Sequence, residues 1–219
     1  MSEEPEPYFV KKQEIDYSLY LVADRSFCPP DRFLNQIEQA VLGGVSIVQL
    51  REENAGSLEF YNLAKQVSAL LKNHRSTVGR KIPFLINGRL DIALAVDCDG
   101  LHIGPGDLPV DVCRRLLGKD KILGVSVNSV EEALQAEKNG ADYLFVGVFE
   151  MGAKPESDEF CLFLEIKKAV SIPVAVIGGA SVDTLSLLLG LGIDGIVVDV
   201  DMGVKILREC WKINQDCFM

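Results

Sequence analysis

The sequence predicts an α/β fold, a single (β/α)8 barrel, from three observations. Short runs rich in Val, Ile, Leu and Tyr alternate with amphipathic stretches, and the alternation recurs eight times along the chain. Several of those runs lack polar alternation, which is the pattern of a strand covered on both faces in a parallel sheet. With 219 residues and 48% hydrophobic content, the chain can bury a substantial core and suits one domain better than two.

The expected strands are residues 18–23, 46–50, 84–87, 100–103, 122–125, 143–147, 174–177 and 195–199. After the first, Phe33, Ile37, Ala40 and Val41 fall at helical spacing. After the second, Leu58, Tyr61, Leu63, Val67, Leu70 and Leu71 do the same, so both stripes should pack helices against the outside of the sheet. Gly43-Gly44, Gly118, Gly140 and Gly190 follow helical stretches where a left-handed cap would end them. Pro83 and Pro173 precede strands, where a missing backbone donor is tolerated. Glu131-Glu132 after Ser129 read as a first helical turn, and Glu156, Asp158 and Glu159 as a solvated helix start. Residues 1–16 are polar and proline-containing and read as an arm, leaving 17–219 as the TIM-barrel domain. An open doubly wound sheet shares the alternation, but eight even units favour closure, and no GxGxxG follows the first strand.

Composition narrows the function. The six cysteines, Cys28, Cys98, Cys113, Cys161, Cys210 and Cys217, form no CxxC pair and no metal-ligand spacing, as expected of thiols in a reducing compartment. The first residues lack the basic-then-apolar order of a secretory signal. No apolar run reaches the roughly 18 to 20 residues of a membrane span. A cytoplasmic protein with no membrane contact is expected. A net charge of −10 argues against nucleic acid as partner, since such binding relies on a basic face. A small anionic ligand remains compatible, because a few local donors suffice for it. A homo-oligomer is left open.

In a barrel of this kind, reactive groups converge from the carboxyl ends of different strands. Those ends read VQLREE, LINGR, LHIGPGD, GVSVN, VGVFEMGAK and VIGGAS. The candidates for one pocket are therefore Arg51, Asn87, Asp107, Ser126, Lys154 and the Gly178-Gly179 pair. Each also has a plain structural reading. Arg51 suits a surface ion pair, Asp107 a cap for the helix after Leu108-Pro109, and Asn87 and Ser126 the satisfaction of backbone groups. Gly178-Gly179 suits a tight turn. His102 titrates near neutrality in isolation, but its place at a strand end favours a structural role over acid–base work. His74 should follow a helix and face solvent or the helix C-terminus.

The ordered segments GGVSIVQLRE, DIALAVDCDGLHIG, GVSVNSVEEALQAEKNGADYLFVG and IPVAVIGGAS resemble the thiamine phosphate synthase family, from about Tyr17 to about Met202. The resemblance implies transfer of an aminopyrimidine-methyl group from its diphosphate to a thiazole phosphate, with Mg²⁺ as cofactor and pyrophosphate released. It further implies that Arg51, Ser126 and Lys154 are catalytic. Gln49 and Asn87 would join them in holding the phosphorylated pyrimidine, with Asp107 on the metal and Gly178 and Gly179 at the thiazole phosphate. The chemistry suits those residue types. A planar guanidinium grips phosphate oxygens in pairs, and Lys adds a point charge, where a leaving pyrophosphate gathers negative charge.

Four positions depart from the family pattern. Glu53 stands where the family has Lys, Gly88 where it has an acidic metal ligand, GVFEMGAK where it has GPxFPTxTK, and Val200 where it has Ser. Two further readings follow. One is a noncatalytic phosphate-ligand-binding or structural paralogue, which explains all four departures. The other is a thiazole-phosphate tautomerase, for which no acid–base pair stands out.

Overall fold

A computed structural model describes residues 15–149, 158–178 and 192–200. Its strands are β1 (Leu19–Asp24), β2 (Ile47–Arg51), β3 (Phe84–Asn87), β4 (Gly100–Ile103), β5 (Ile122–Val127), β6 (Tyr143–Phe149), β7 (Val174–Gly178) and β8 (Gly195–Asp199). Each pairs in parallel with its sequence neighbours, and β8 pairs with β1 to close the barrel. The described helices are α1 (Pro30–Leu42), α2 (Ser57–Val78), α3 (Leu90–Ala95), α4 (Val110–Leu117), α5 (Val130–Lys138) and α6 (Asp158–Ala169). None is long and apolar enough to cross a membrane.

The strand side chains divide between two cores, which is why the strands read as apolar runs. Tyr20, Val22, Ile47, Leu85, Tyr143, Phe145, Ala175 and Val197 fill the barrel interior. Their neighbours Leu21, Val48, Leu50, Ile86, Leu144 and Val146 join the helices in the outer layer. In α1 the buried residues are the predicted Phe33, Ile37, Ala40 and Val41. In α2 the predicted Leu63, Val67 and Leu71 are buried with Phe60 and Ala64, and Tyr61 and Leu70 pack against the same cluster, whereas Leu58 is 73% exposed. The helix begins at Ser57, so Leu58 sits in its first turn on the outer side. His74 lies within α2, half-buried, with Nε2 2.7 Å from Glu38 Oε1. Ile15 packs against the inner cluster, whereas residues 1–14 of the expected arm lie outside the described residues.

At the amino ends of the strands one device recurs. Asp99, Asp142 and Asp194 accept from the backbone N–H of Phe84, Leu123 and Val174, each on the preceding strand. Lys81, Arg114 and Lys167 neutralise them in turn. Pro83 and Pro173 contribute only acceptors there, to the N–H groups of Val48 and Leu144. This pins the register at the lower face and leaves the carboxyl ends of the strands to build a site.

Candidate functional site

Parallel register brings the strand ends into one ring. Asp24 lies beside Arg51, Val22 beside Gln49, Asn87 beside His102, and Ser126 beside Phe145. All of these but Asp24 line a cavity of about 550 Å³ at the carboxyl face, together with Gly88, Arg89, Gly104, Asp107, Asn128 and Ile177. A roomier groove of about 780 Å³ lies between α1 and α2. It is lined by helix side chains and lacks the convergence of strand-end groups that the barrel mouth has.

The floor of the mouth is polar in an otherwise apolar interior. Gln49 Nε2 donates to Asn87 Oδ1 at 2.8 Å, and Tyr20 donates its hydroxyl to Gln49 Oε1 at 2.8 Å. The Tyr20 and Tyr143 hydroxyls are 2.8 Å apart. His102 Nδ1 lies 2.9 Å from the Tyr143 oxygen, and His102 Nε2 lies 2.9 Å from Ser126 Oγ. Burial alone pushes His102 down to about 3, because nothing near it compensates for desolvating an imidazolium. Burial likewise pushes the Tyr20 and Tyr143 phenols well up. All three are neutral at physiological pH. The Tyr143 ring reaches its place because β5 carries glycine opposite it. A Cβ on Gly124 would meet Tyr143 Cζ at 2.0 Å and its oxygen at 2.2 Å.

Charge gathers at the rim. Arg51 donates from Nε to Glu53 Oε1 at 3.0 Å, its Nη2 shares the same oxygen, and Nη1 stands 3.5 Å from Asp24 Oδ2. Asp24 Oδ1 is held by the N–H and hydroxyl of Ser26. Arg89 is tied to Asp91 and to Ser57 Oγ, and this holds the Asp91 carboxyl below the usual range. Glu52 caps the following turn through the N–H groups of Asn54 and Ala55 and pairs with Arg25.

Asp107 Oδ2 accepts from the Gly104 N–H at 2.9 Å. The predicted cap is absent, since α4 begins after Pro109 with no side-chain bond. Gly88 holds a φ of +67°, and a Cβ there would stand 3.2 Å from Asp107 Oδ1. The missing acidic side chain therefore leaves space directly beside the Asp107 carboxylate.

Of the residues expected from sequence, Gln49, Arg51, Asn87, Asp107 and Ser126 share this cavity. Gly178 ends β7, next to the cavity-lining Ile177. Lys154, Gly179 and Glu156 lie outside the described residues. Val200 is buried in the outer layer. His102, expected in a structural role, lies in the cavity wall bonded to Ser126. Sequence reasoning missed Asp24, Tyr20 and Tyr143. The two tyrosines read as strand apolars, and only closure of the barrel brings them together, 123 positions apart.

Residues 19–200 match the family model described as thiamine monophosphate synthase. The thiamine-phosphate synthase of Clostridium beijerinckii is 45% identical over 190 residues, spanning 85% of this chain and 88% of that relative. That of Caldanaerobacter subterraneus subsp. tengcongensis is 46% identical over 209 residues, spanning 90% and 95%. Among solved structures, thiamine phosphate pyrophosphorylase from Pyrococcus furiosus matches with a TM-score of 0.75 at 34% identity, over 89% of this chain and 95% of that one.

Proposed function

The chain belongs to the thiamine monophosphate synthase family, and from that premise we propose that it joins an aminopyrimidine-methyl diphosphate to a thiazole phosphate at the carboxyl face of the barrel. The methylene carbon–oxygen bond breaks, its electron pair leaves with pyrophosphate, and the thiazole nitrogen forms the new carbon–nitrogen bond. The observation that carries this reading is the convergence of Gln49, Arg51, Asn87, Asp107 and Ser126 on one cavity.

Arg51 is the cation for the leaving diphosphate, and Asn87, next to it in the ring of strands, adds an amide contact. Ser126 meets the pyrimidine across the cavity. Holding the two reactants at bonding distance supplies much of the rate, because association entropy is met before the bond-breaking step. Lys154 is assigned a second contact to the diphosphate, and Gly178-Gly179 close backbone approach to the thiazole phosphate, by alignment with the family pattern.

The residues present fit Mg²⁺. Asp107 would hold it, since one carboxylate plus diphosphate oxygens is a sufficient set for this ion and Gly88 leaves room beside Oδ1. When bound, the ion neutralises charge on the diphosphate oxygens.

One observation favours a noncatalytic, ligand-binding reading: Glu53 already occupies Arg51. Incubating the purified full chain with both substrates and Mg²⁺ separates the two. Catalysis predicts thiamine phosphate and pyrophosphate in equal amounts, lost in Arg51→Ala. A folded protein that binds the aminopyrimidine diphosphate and yields no product overturns catalysis.

A further inference from the structure

Five hydrogen bonds join Ser126, His102, Tyr143, Tyr20, Gln49 and Asn87 into one chain across the barrel interior. Its two ends are cavity residues, and its middle is buried: Tyr20 and Tyr143 are fully covered and His102 is 2% exposed. A phenol has one proton, and so has a neutral imidazole. Each link therefore fixes the next. Gln49 gives an N–H to Asn87 Oδ1, so its carbonyl takes the Tyr20 proton. Tyr20 must then accept from Tyr143, and Tyr143 must accept from His102 Nδ1–H. The depressed basicity of His102 leaves Nε2 bare, so Ser126 donates to it.

We infer that this chain sets the hydrogen-bond polarity of the binding site, with Tyr20, Tyr143 and His102 as positioning residues. Ser126 then has no proton left for the ligand and offers it lone pairs, and the Asn87 amide nitrogen offers it N–H donors. The two ends are coupled: turning over the Gln49 amide reverses every donor, so that Ser126 donates and Asn87 accepts. This inference rests on the proposed function for its choice of direction. An oxygen anion beside Arg51 needs the Asn87 amide to present N–H, and that selects the polarity in which Ser126 accepts. The ligand so defined is anionic at one end and carries an N–H donor at the other, as an exocyclic amine on a diphosphate-bearing pyrimidine does.

The test has two arms. In the first, the full chain is labelled with 15N-histidine, and the two signals are assigned to His74 and His102 with a His74→Gln variant. The expected result at neutral pH is a neutral His102 with its proton on Nδ1. In the second, equilibrium binding compares the aminopyrimidine-methyl diphosphate with its analogue carrying a ring carbonyl in place of the amine. The amine should be favoured about tenfold or more, the value of one well-placed hydrogen bond. Tyr143→Phe, with Tyr20→Phe as the second break in the same chain, should give mixed His102 tautomers and bring that preference close to one. A His102 proton on Nε2, a doubly protonated ring, or folded Phe variants that keep both tautomer and preference would overturn the inference. If neither pyrimidine binds while His102 stays in the Nδ1–H form, the proposed substrate fails and the polarity stands.

Discussion

Gly124→Ala places a methyl group inside the Tyr143 ring, 2.0 Å from Cζ and 2.2 Å from the hydroxyl oxygen. Carbon contacts relax near 3.5 Å, so the ring and the β5 backbone must move apart by about 1.5 Å between them. Neither yields easily. The ring is held by hydrogen bonds to Tyr20 and His102 and packs at 4.9 Å from the Tyr17 ring and 5.3 Å from Phe145. The backbone of Gly124 sits in the ladder between His102 and Tyr143. Overpacking of this kind costs about 2–3 kcal/mol. For a chain of this size that lowers the melting temperature by roughly 4–12 °C. The assay is a denaturant and thermal melt of a double-mutant cycle with Tyr143→Ala. The account predicts that the cost of Gly124→Ala largely vanishes once the ring is gone. An equal cost in both backgrounds, or none in the first, would refute the claim that this glycine exists to seat Tyr143.

The neutral state of His102 links stability to pH. Its folded pKa of about 3 lies below the ordinary 6.5, so the unfolded chain takes up a proton that the folded chain refuses. The contribution is complete above pH ~6.5 and is lost as pH falls toward 3, at roughly 1.4 kcal/mol per pH unit. Unfolding free energy against pH should lose that much slope in His102→Gln, and parallel curves would exclude the assignment. Glu53→Gln frees Arg51 from an exposed ion pair, so pyrophosphate should bind up to about fivefold tighter at low salt, fading as salt rises. Isothermal titration at two ionic strengths checks this, and unchanged affinity would show that Glu53 does not compete for the guanidinium. Gly88→Asp sets a second carboxylate beside Asp107 at a positive φ, which should cost about 1 kcal/mol without divalent ion. Added Mg²⁺ should raise the melting temperature of that variant more than that of the parent; an equal rise in both would argue against a metal at Asp107.

Much of the barrel was legible because burial on both faces writes apolar runs into the strands. β3, β4 and β8 begin and end where the sequence places them. Five predicted strands stopped short: β6 runs on through Val148 to Phe149 and β7 to Gly178, whereas the other three stopped at polar residues. β1 continues to Asp24, β2 to Arg51 and β5 through Ser126 to Val127, because the ladder carries on into the mouth of the barrel. Of the residues that truncated these strands, Arg51 and Ser126 line the cavity, and Asp24 stands beside Arg51. The buried hydrogen-bond chain left no such trace. A strand tyrosine satisfies the same apolar pattern as a phenylalanine, and the partners of its hydroxyl are set by closure between distant strands. The clamp of Glu53 on Arg51 was hidden differently: sequence marked the reversed charge, and only the side-chain positions show which cation it meets.

The central claim is that the strand-end cavity handles a diphosphate through Arg51. A crystal structure of the full chain grown with pyrophosphate and Mg²⁺ tests it most directly. The account predicts pyrophosphate in the cavity, the Arg51 guanidinium turned from Glu53 onto its oxygens, and the Asn87 amide nitrogen within hydrogen-bonding distance. Pyrophosphate bound elsewhere on the barrel, or Arg51 still paired with Glu53 beside an occupied cavity, would contradict it.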